Sequence, residues 1–239
     1  MTDFPYRLME PTTPAMGLIV LRVDEVIEQE FRHTFAPETC RLHISRVPSG
    51  DDLTPASIAA MESRLTAAAA LLPPAAAFDV VGYACTSATA QIGAERVRAL
   101  VGAGTHTCHV TDPLTAALAA FRAAGAQRVG IVSPYVAAVS APLRQAIVAE
   151  GIAVPEMLTF GEGVEARVAR IDPASIAEAA RALTARTAVD AVFLSCTNLR
   201  TYNILPALGA QLGVPVFSSN QALAWHMARL ARVSVARSL

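Results

Sequence analysis

The sequence predicts an α/β fold built twice: two pseudo-symmetric, doubly wound lobes with parallel sheets and an interlobe active-site cleft. Three observations predict it. Short apolar runs alternate with Ala-rich helical stretches, the pattern of βαβ units. The stretch Asp79-Val-Val-Gly-Tyr-Ala-Cys85-Thr-Ser recurs as Asp190-Ala-Val-Phe-Leu-Ser-Cys196-Thr-Asn, with the two cysteines 111 residues apart, and Gly17-Leu-Ile-Val recurs as Gly130-Ile-Val-Ser, 113 residues on. Finally, 239 residues at 53% hydrophobic and 16% charged can bury a large core, whether as one compact domain or two small ones.

The elements follow in order. Met1 to Pro14 holds Arg7 and lacks an apolar core long enough for a signal peptide. Strands are expected at Met16–Leu21, Arg41–Arg46, Asp79–Tyr83, Arg128–Ser133 and Asp190–Leu194, because each is a short apolar or alternating run. Helical patterns fill Glu25–Phe35 and the Ala-rich stretches Pro55–Leu72, Ala88–Val101 and Pro113–Ala124, where alanine supplies helix propensity and close packing on the sheet. Gly125 and Gly151 stop two of the helical patterns. A strand runs up to Thr111-Asp112-Pro113, where Thr111 and Asp112 either cap the next helix or touch substrate. The last segment, Val214–Leu239, is expected to pack back on the first lobe. The lobes are therefore residues 15–112 plus 214–239, and residues 113–213.

Charge and cysteine usage narrow the function. A net charge of −1 and a pI near 6.5 give no basic field for nucleic acid. No window reaches ~18 uninterrupted apolar residues, so no membrane span is expected and the chain reads as cytoplasmic. Cys40, Cys85, Cys108 and Cys196 lack metal-ligand spacing, and a reducing compartment disfavours disulfides, which leaves catalytic or buried thiols. In Thr-His106-Thr-Cys108-His109, strand alternation sends His106 and Cys108 to one face and His109 to the other, so no metal site is expected. Cys40 reads as core, and Trp225 and His226 as packing residues of the final helix.

The matched pair differs from those isolated residues. Cys85 and Cys196 each follow a buried-strand pattern and precede a helical one, so each thiol should stand at the C-terminal mouth of a strand. Two such thiols facing one cleft can give and take a proton on opposite faces of one carbon. A thiol suits this task because it is soft, weakly solvated and adjustable towards neutral pKa. Thr86 and Ser87 after the first cysteine, and Thr197 and Asn198 after the second, offer backbone N–H groups and side chains to hold a carboxylate and the enediolate that develops from it. No metal or organic cofactor is required.

The Cys-Thr-Ser and Ser-Cys-Thr-Asn turns, the segment Gly213-Val-Pro-Val-Phe-Ser-Ser-Asn220 and the turn Ser133-Pro-Tyr135 together resemble the aspartate/glutamate racemase superfamily. Within it the chain is most similar to the maleate cis-trans isomerase and arylmalonate decarboxylase branch, from about Met16 to Leu230. The resemblance implies that Cys85 attacks the double bond of maleate-type substrates, that Cys196 supplies or removes the proton, and that Tyr135 contacts the substrate carboxylate. Arylmalonate decarboxylases have glycine at the first cysteine position, so Cys85 argues against decarboxylation. The segment Gly161–Arg170 resembles the one covering the site in those enzymes and is either a lid or an ordinary surface loop.

One residue departs from the pattern. Asp24 stands where maleate isomerases place an asparagine. A fixed charge there repels a dicarboxylate, unless protonated or paired with Arg22, and welcomes an ammonium or amide group. That favours an amino-acid-like or N-acylated substrate, as in the racemase-like proteins found with ectoine breakdown, whose first-strand segment this one resembles. The alternative is that Asp24 only caps the helix after it. The expected function is thus a cofactor-independent two-cysteine racemase or isomerase of a small carboxylate, a homo-oligomer (dimer or tetramer) without nucleic-acid or membrane partners. Maleate cis-trans isomerisation through a Cys85 adduct, and a carboxylate-binding protein without turnover, are the alternatives.

Overall fold

The computed structural model describes residues 3–52 and 54–235. Two four-stranded parallel sheets share one topology. The first contains β1 (Ala15–Leu21), β2 (Arg41–Val47), β3 (Phe78–Ala84) and β4 (Thr107–Thr111) in the order β2-β1-β3-β4. The second contains β5 (Val129–Tyr135), β6 (Met157–Glu162), β7 (Ala191–Leu194) and β8 (Val216–Ser218) in the order β6-β5-β7-β8. The central strands β1, β5 and β7 are buried along their whole length, as parallel strands covered on both faces must be.

The sequence repeat has a structural counterpart at the start of the strands as well as at their ends. Asp79 Oδ2 accepts a hydrogen bond from Ala15 N at 2.9 Å. Its partner in the repeat, Asp190, accepts from Gln127 N at 2.9 Å and Arg128 N at 2.8 Å. Each aspartate thus ties its strand to the entry of the neighbouring central strand. In both sheets the strand order reverses between the two central strands, so a crevice opens beyond their C-terminal ends. Those ends are Leu21 and Ala84 in one sheet, Tyr135 and Leu194 in the other.

Helices cover the sheets: α1 (Ile27–Thr34), α2 (Pro55–Ala69), α3 (Thr86–Ile92), α4 (Ala94–Gly104), α5 (Pro113–Ala123), α6 (Ala137–Ala149), α7 (Glu165–Val168), α8 (Pro173–Arg186), α9 (Leu205–Leu212) and α10 (Ser219–Ala231). The single helix expected over Ala88–Val101 is two, broken at Gly93, whose φ of +93° no helix accommodates. Among the described residues no helix is long and apolar enough to cross a membrane.

The segment expected to return whole to the first lobe is divided. Val216–Ser218 pairs with β7 in the second sheet, and only α10 crosses over. There Leu223, Ala224, Met227 and Ala228 pack with Met16, Leu18, Val20 and Val80. The approach is close: a side chain at Gly82 would sit 2.6 Å from Met227 Sδ. Residues 236–239 of that expected segment lie outside the described residues.

Candidate active site

The first thiol is set by β3 and α3. Cys85 is the N-cap of α3, where its Sγ accepts from Ala88 N at 3.4 Å. Thr89 Oγ1 donates to the Cys85 carbonyl at 2.8 Å and fixes the turn. The second thiol leaves β7 differently. Cys196 has a φ of +145°, a region that side-chain-bearing residues rarely enter, and its Sγ accepts from Asn198 N at 3.2 Å.

The helical pattern expected directly after Cys196 is absent, because α9 begins only at Leu205, beside Pro206. The intervening residues bind the other half instead. Asn198 Oδ1 accepts from Glu25 N at 2.9 Å, Thr197 Oγ1 donates to the Ala84 carbonyl at 3.3 Å, and the amides of Thr201 and Tyr202 donate to Glu30 Oε1 at 3.0 Å. Ser219, the first residue of α10, joins the two thiol turns directly. Its Oγ accepts from Cys196 N at 3.0 Å and pairs with Thr86 Oγ1 at 2.8 Å.

Tyr135 ends β5 and reaches both sides of the site. Its hydroxyl donates to Glu165 Oε1 at 2.7 Å and lies 2.9 Å from Cys196 Sγ. Glu165, only 1% exposed, is held at its other oxygen by Asn198 Nδ2 at 2.9 Å. Its amide donates to the Asp51 carbonyl at 3.1 Å, so a first-half loop secures α7. The segment Gly161–Arg170, read as lid or loop, is the end of β6 plus α7. From it the buried Glu165 lines the cavity of the two thiols, and Arg170 is bonded to Glu25 at 3.0 Å.

Asp24 does two things. Its Oδ1 accepts from Val26 N at 2.8 Å and Ile27 N at 2.9 Å, which ties down the entry to α1. Its Oδ2 makes no hydrogen bond to the described residues. Arg22 does not pair with it, but turns outward to Asp51 at 2.7 Å; Arg46 reaches only the Asp24 carbonyl, at 3.2 Å.

These groups converge on one small cavity. Its lining contains all eight residues expected from sequence, Asp24, Cys85, Thr86, Ser87, Tyr135, Cys196, Thr197 and Asn198, together with Leu21 and Glu165. Glu165 was not foreseen. It belongs to a charged, glycine-bearing segment, and nothing in the pattern separates it from the half-buried Glu162 nearby. A larger cavity of about 410 Å³ between α1, α9 and α10 is lined by Glu30, Leu205 and Asn220 but by no thiol, so the chemistry belongs to the smaller one.

Among the described residues no Lys, Arg or His lines the site. Burial therefore dominates its electrostatics. It raises the carboxyls of Asp24 and Glu165 above the usual range, and Asp24 raises Glu165 further by repulsion. Burial pushes the Cys85 thiol up to about 12, and lifts Cys196 and the Tyr135 phenol well above their ordinary values. Both sulfurs are thus neutral near pH 7 unless a proton leaves within the site. The remaining candidates lie elsewhere. Asp112 caps α5 through Thr115 N at 2.8 Å, and Thr111 Oγ1 bonds His226 Nδ1 at 2.7 Å. Cys40 is buried in the core and Cys108 is exposed. Among the described residues no three His, Cys, Asp or Glu side chains group as a metal site.

Comparison with known proteins places this geometry. The family described as arylmalonate decarboxylase matches residues 50–238. Arylmalonate decarboxylase of Bordetella bronchiseptica is 36% identical over 123 residues, and the match spans 51% of each protein, about half the length of that curated relative. The maleate isomerase Iso from Pseudomonas putida S16, solved with maleate, is 27% identical over 91% of each chain with a TM-score of 0.80. The Nocardia farcinica maleate cis-trans isomerase, solved with a covalently bound succinylcysteine intermediate, shares the fold at 23% identity and a TM-score of 0.83, over 92% of this chain and 93% of that one.

Proposed function

The chain belongs to the arylmalonate decarboxylase family, and from that premise we propose that it is a cofactor-independent isomerase. In this reading Cys85 and Cys196 act as paired acid and base on a small carboxylate that carries its own hydrogen-bond donor, an amino-acid-like or N-acylated acid. One observation carries it: two thiols and two carboxyls share one small cavity that no cationic side chain lines among the described residues.

The substrate carboxylate is held in this reading by the backbone N–H groups at the two thiol turns and by the Ser87 hydroxyl, which also suit the enediolate formed when the α-proton leaves. A second carboxylate would meet Asp24 and Glu165 instead. At the low effective dielectric of a buried site that repulsion works against a dicarboxylate. A substrate N–H, by contrast, gives Asp24 Oδ2 a hydrogen-bond donor, where none of the described residues makes a hydrogen bond to it. One thiolate removes the α-proton from one face while the other thiol delivers a proton to the opposite face, inverting the centre. Decarboxylation needs a single proton donor and would leave Cys85 without a task.

A second reading is favoured by the 27% identity to the Pseudomonas putida S16 maleate isomerase over 91% of the chain: cis-trans isomerisation through a Cys85 adduct. A panel of maleate, aspartate, glutamate, hydantoins and N-acetyl-diaminobutyrate, incubated in D2O, separates the two. We expect α-deuterium incorporation into an amino or N-acyl acid and no turnover of maleate. Cys85→Ser and Cys196→Ser should each lower racemisation by about 10²-fold or more, with deuterium wash-in surviving in one direction in one variant. Maleate turnover, with an adduct mass on Cys85 in the Cys196→Ser variant, would establish the second reading. Full activity in both variants would overturn both.

A further inference from the structure

We propose that Glu165, acting through the Tyr135 hydroxyl, is the internal proton acceptor that turns Cys196 from thiol into thiolate. This rests on the reading of Cys196 as one of two acid–base thiols, and adds where its proton goes. The geometry is a continuous chain: Cys196 Sγ lies 2.9 Å from the Tyr135 hydroxyl, which lies 2.7 Å from Glu165 Oε1. All three groups are buried, and both ends are fixed. Asn198 holds Glu165 Oε2 through its side chain at 2.9 Å and the sulfur through its amide at 3.2 Å.

The step balances without any further reactant. The Cys196 S–H proton moves to the Tyr135 oxygen while the Tyr135 hydroxyl proton moves to Glu165 Oε1. A thiol and a carboxylate become a thiolate and a carboxylic acid, the phenol is regenerated, and the single negative charge is moved rather than created. A buried sulfur needs such a route, because loss of its proton to bulk water would leave a new unpaired charge in a site that no cation lines among the described residues. Burial and the neighbouring Asp24 raise the Glu165 carboxyl, which makes it the better acceptor.

Among the described residues Cys85 has no matching chain. Its sulfur accepts the Ala88 amide, and the buried Tyr83 hydroxyl, although close enough to feel Cys85 and Asp112, makes no hydrogen bond that leads on to a carboxylate. The pair is therefore unequal: Cys196 rests poised as base, Cys85 as acid. The other titratable groups facing the relay are Asp24, after β1, and Cys85 itself.

Alkylation of the intact protein by iodoacetamide, resolved to Cys196 and Cys85 by peptide mass spectrometry across pH, tests this without any turnover. Wild type should show a Cys196 rate that is flat through the neutral range, because the thiol–carboxylate and thiolate–acid forms hold the same number of protons. Glu165→Gln should remove the plateau, lower the neutral rate by about tenfold or more, and leave a profile that climbs only with alkaline pH. Tyr135→Phe should do the same with Glu165 present, and the double variant should be no worse than either single. Cys85 should keep its profile throughout. A glutamate that only shapes the site would scale the rate without moving the profile. Thiolate ultraviolet absorbance in a Cys85→Ala background reads the same equilibrium if the reagent enters poorly. A wild-type profile confined to the ordinary thiol range, or one unchanged in Glu165→Gln, would overturn the proposal. Both results are independent of whether any member of the substrate panel reacts.

Discussion

At the scale of the residue, two positions do work that their side chains alone do not suggest. Cys196 sits at φ +145°, so its sulfur is presented at the cost of backbone strain, typically about 1–3 kcal/mol for such a conformation. Glycine relieves that strain, while alanine removes the thiol and keeps it. Cys196→Gly should therefore be more stable than Cys196→Ala, by about 1 kcal/mol in urea denaturation; equal midpoints would mean that the turn is unstrained. Asp24 can serve both roles that its sequence position left as alternatives, because one oxygen caps the entry to α1 and the other makes no hydrogen bond among the described residues. Asparagine keeps a cap oxygen but loses the charge. Asp24→Asn should thus retain stability and raise KM for the donor-bearing substrate by roughly 10- to 150-fold, one charge-assisted hydrogen bond of about 1.5–3 kcal/mol. A loss of stability with unchanged kinetics would reduce Asp24 to its capping role.

At the scale of the element, the site is a meeting of strand ends, and that is why so much of it was legible. Strands β1, β3, β5 and β7 are covered on both faces and read as plain apolar runs, and the repeat then aligned their C-terminal turns. That alignment pointed to the cavity residues after β3 and β7, while Asp24 and Tyr135 were named only through the family resemblance. It could not find Glu165, because β6 is an edge strand with mostly half-buried and exposed residues, and the short α7 after it has no periodicity to read. Nor could it find the irregular path after Cys196, which is set by long-range bonds to Glu25 and Glu30 in the other half. The element that closes the arrangement is α10, whose first residue, Ser219, touches both thiol turns. Ser219→Ala leaves the Cys196 amide and the Thr86 hydroxyl without that partner. A destabilisation of about 1–3 kcal/mol is expected from the buried unsatisfied groups, together with altered alkylation rates at both cysteines rather than one. An effect confined to Cys196 would show that α10 does not couple the turns.

At the scale of the whole molecule, two copies of one sheet enclose acids rather than neutralise them. Asp24, Glu30 and Glu165 are buried, and burial raises each above its ordinary value of 3.8 for aspartate or 4.5 for glutamate. The folded chain thus keeps protons that the unfolded chain releases. Stability then has a negative slope with pH: it is fullest below about 4 and is lost as pH rises from there through the raised native values. Half-buried Glu162 is shifted the other way by the Val164 and Gly163 amides and the Arg167 guanidinium, but Arg167 is largely exposed, so solvent screens the pair. A second decline begins at the thiol value of 9.0, because Cys85 holds its proton to about 12 in the fold, and a three-unit gap corresponds to roughly 4 kcal/mol at most. Thermal unfolding should accordingly give a higher Tm at pH 5 than at pH 8. The double variant Asp24→Asn, Glu165→Gln should raise Tm at pH 8 and flatten the slope, while losing the neutral-pH reactivity of Cys196. If stability instead rises from pH 5 to 8, these carboxyls are stabilised as anions in the fold, and the site could hold both charges at once. Glu165 would then have no drive to accept the Cys196 proton, so the stability profile of the folded chain and the reactivity of one thiol are two readings of the same buried charge.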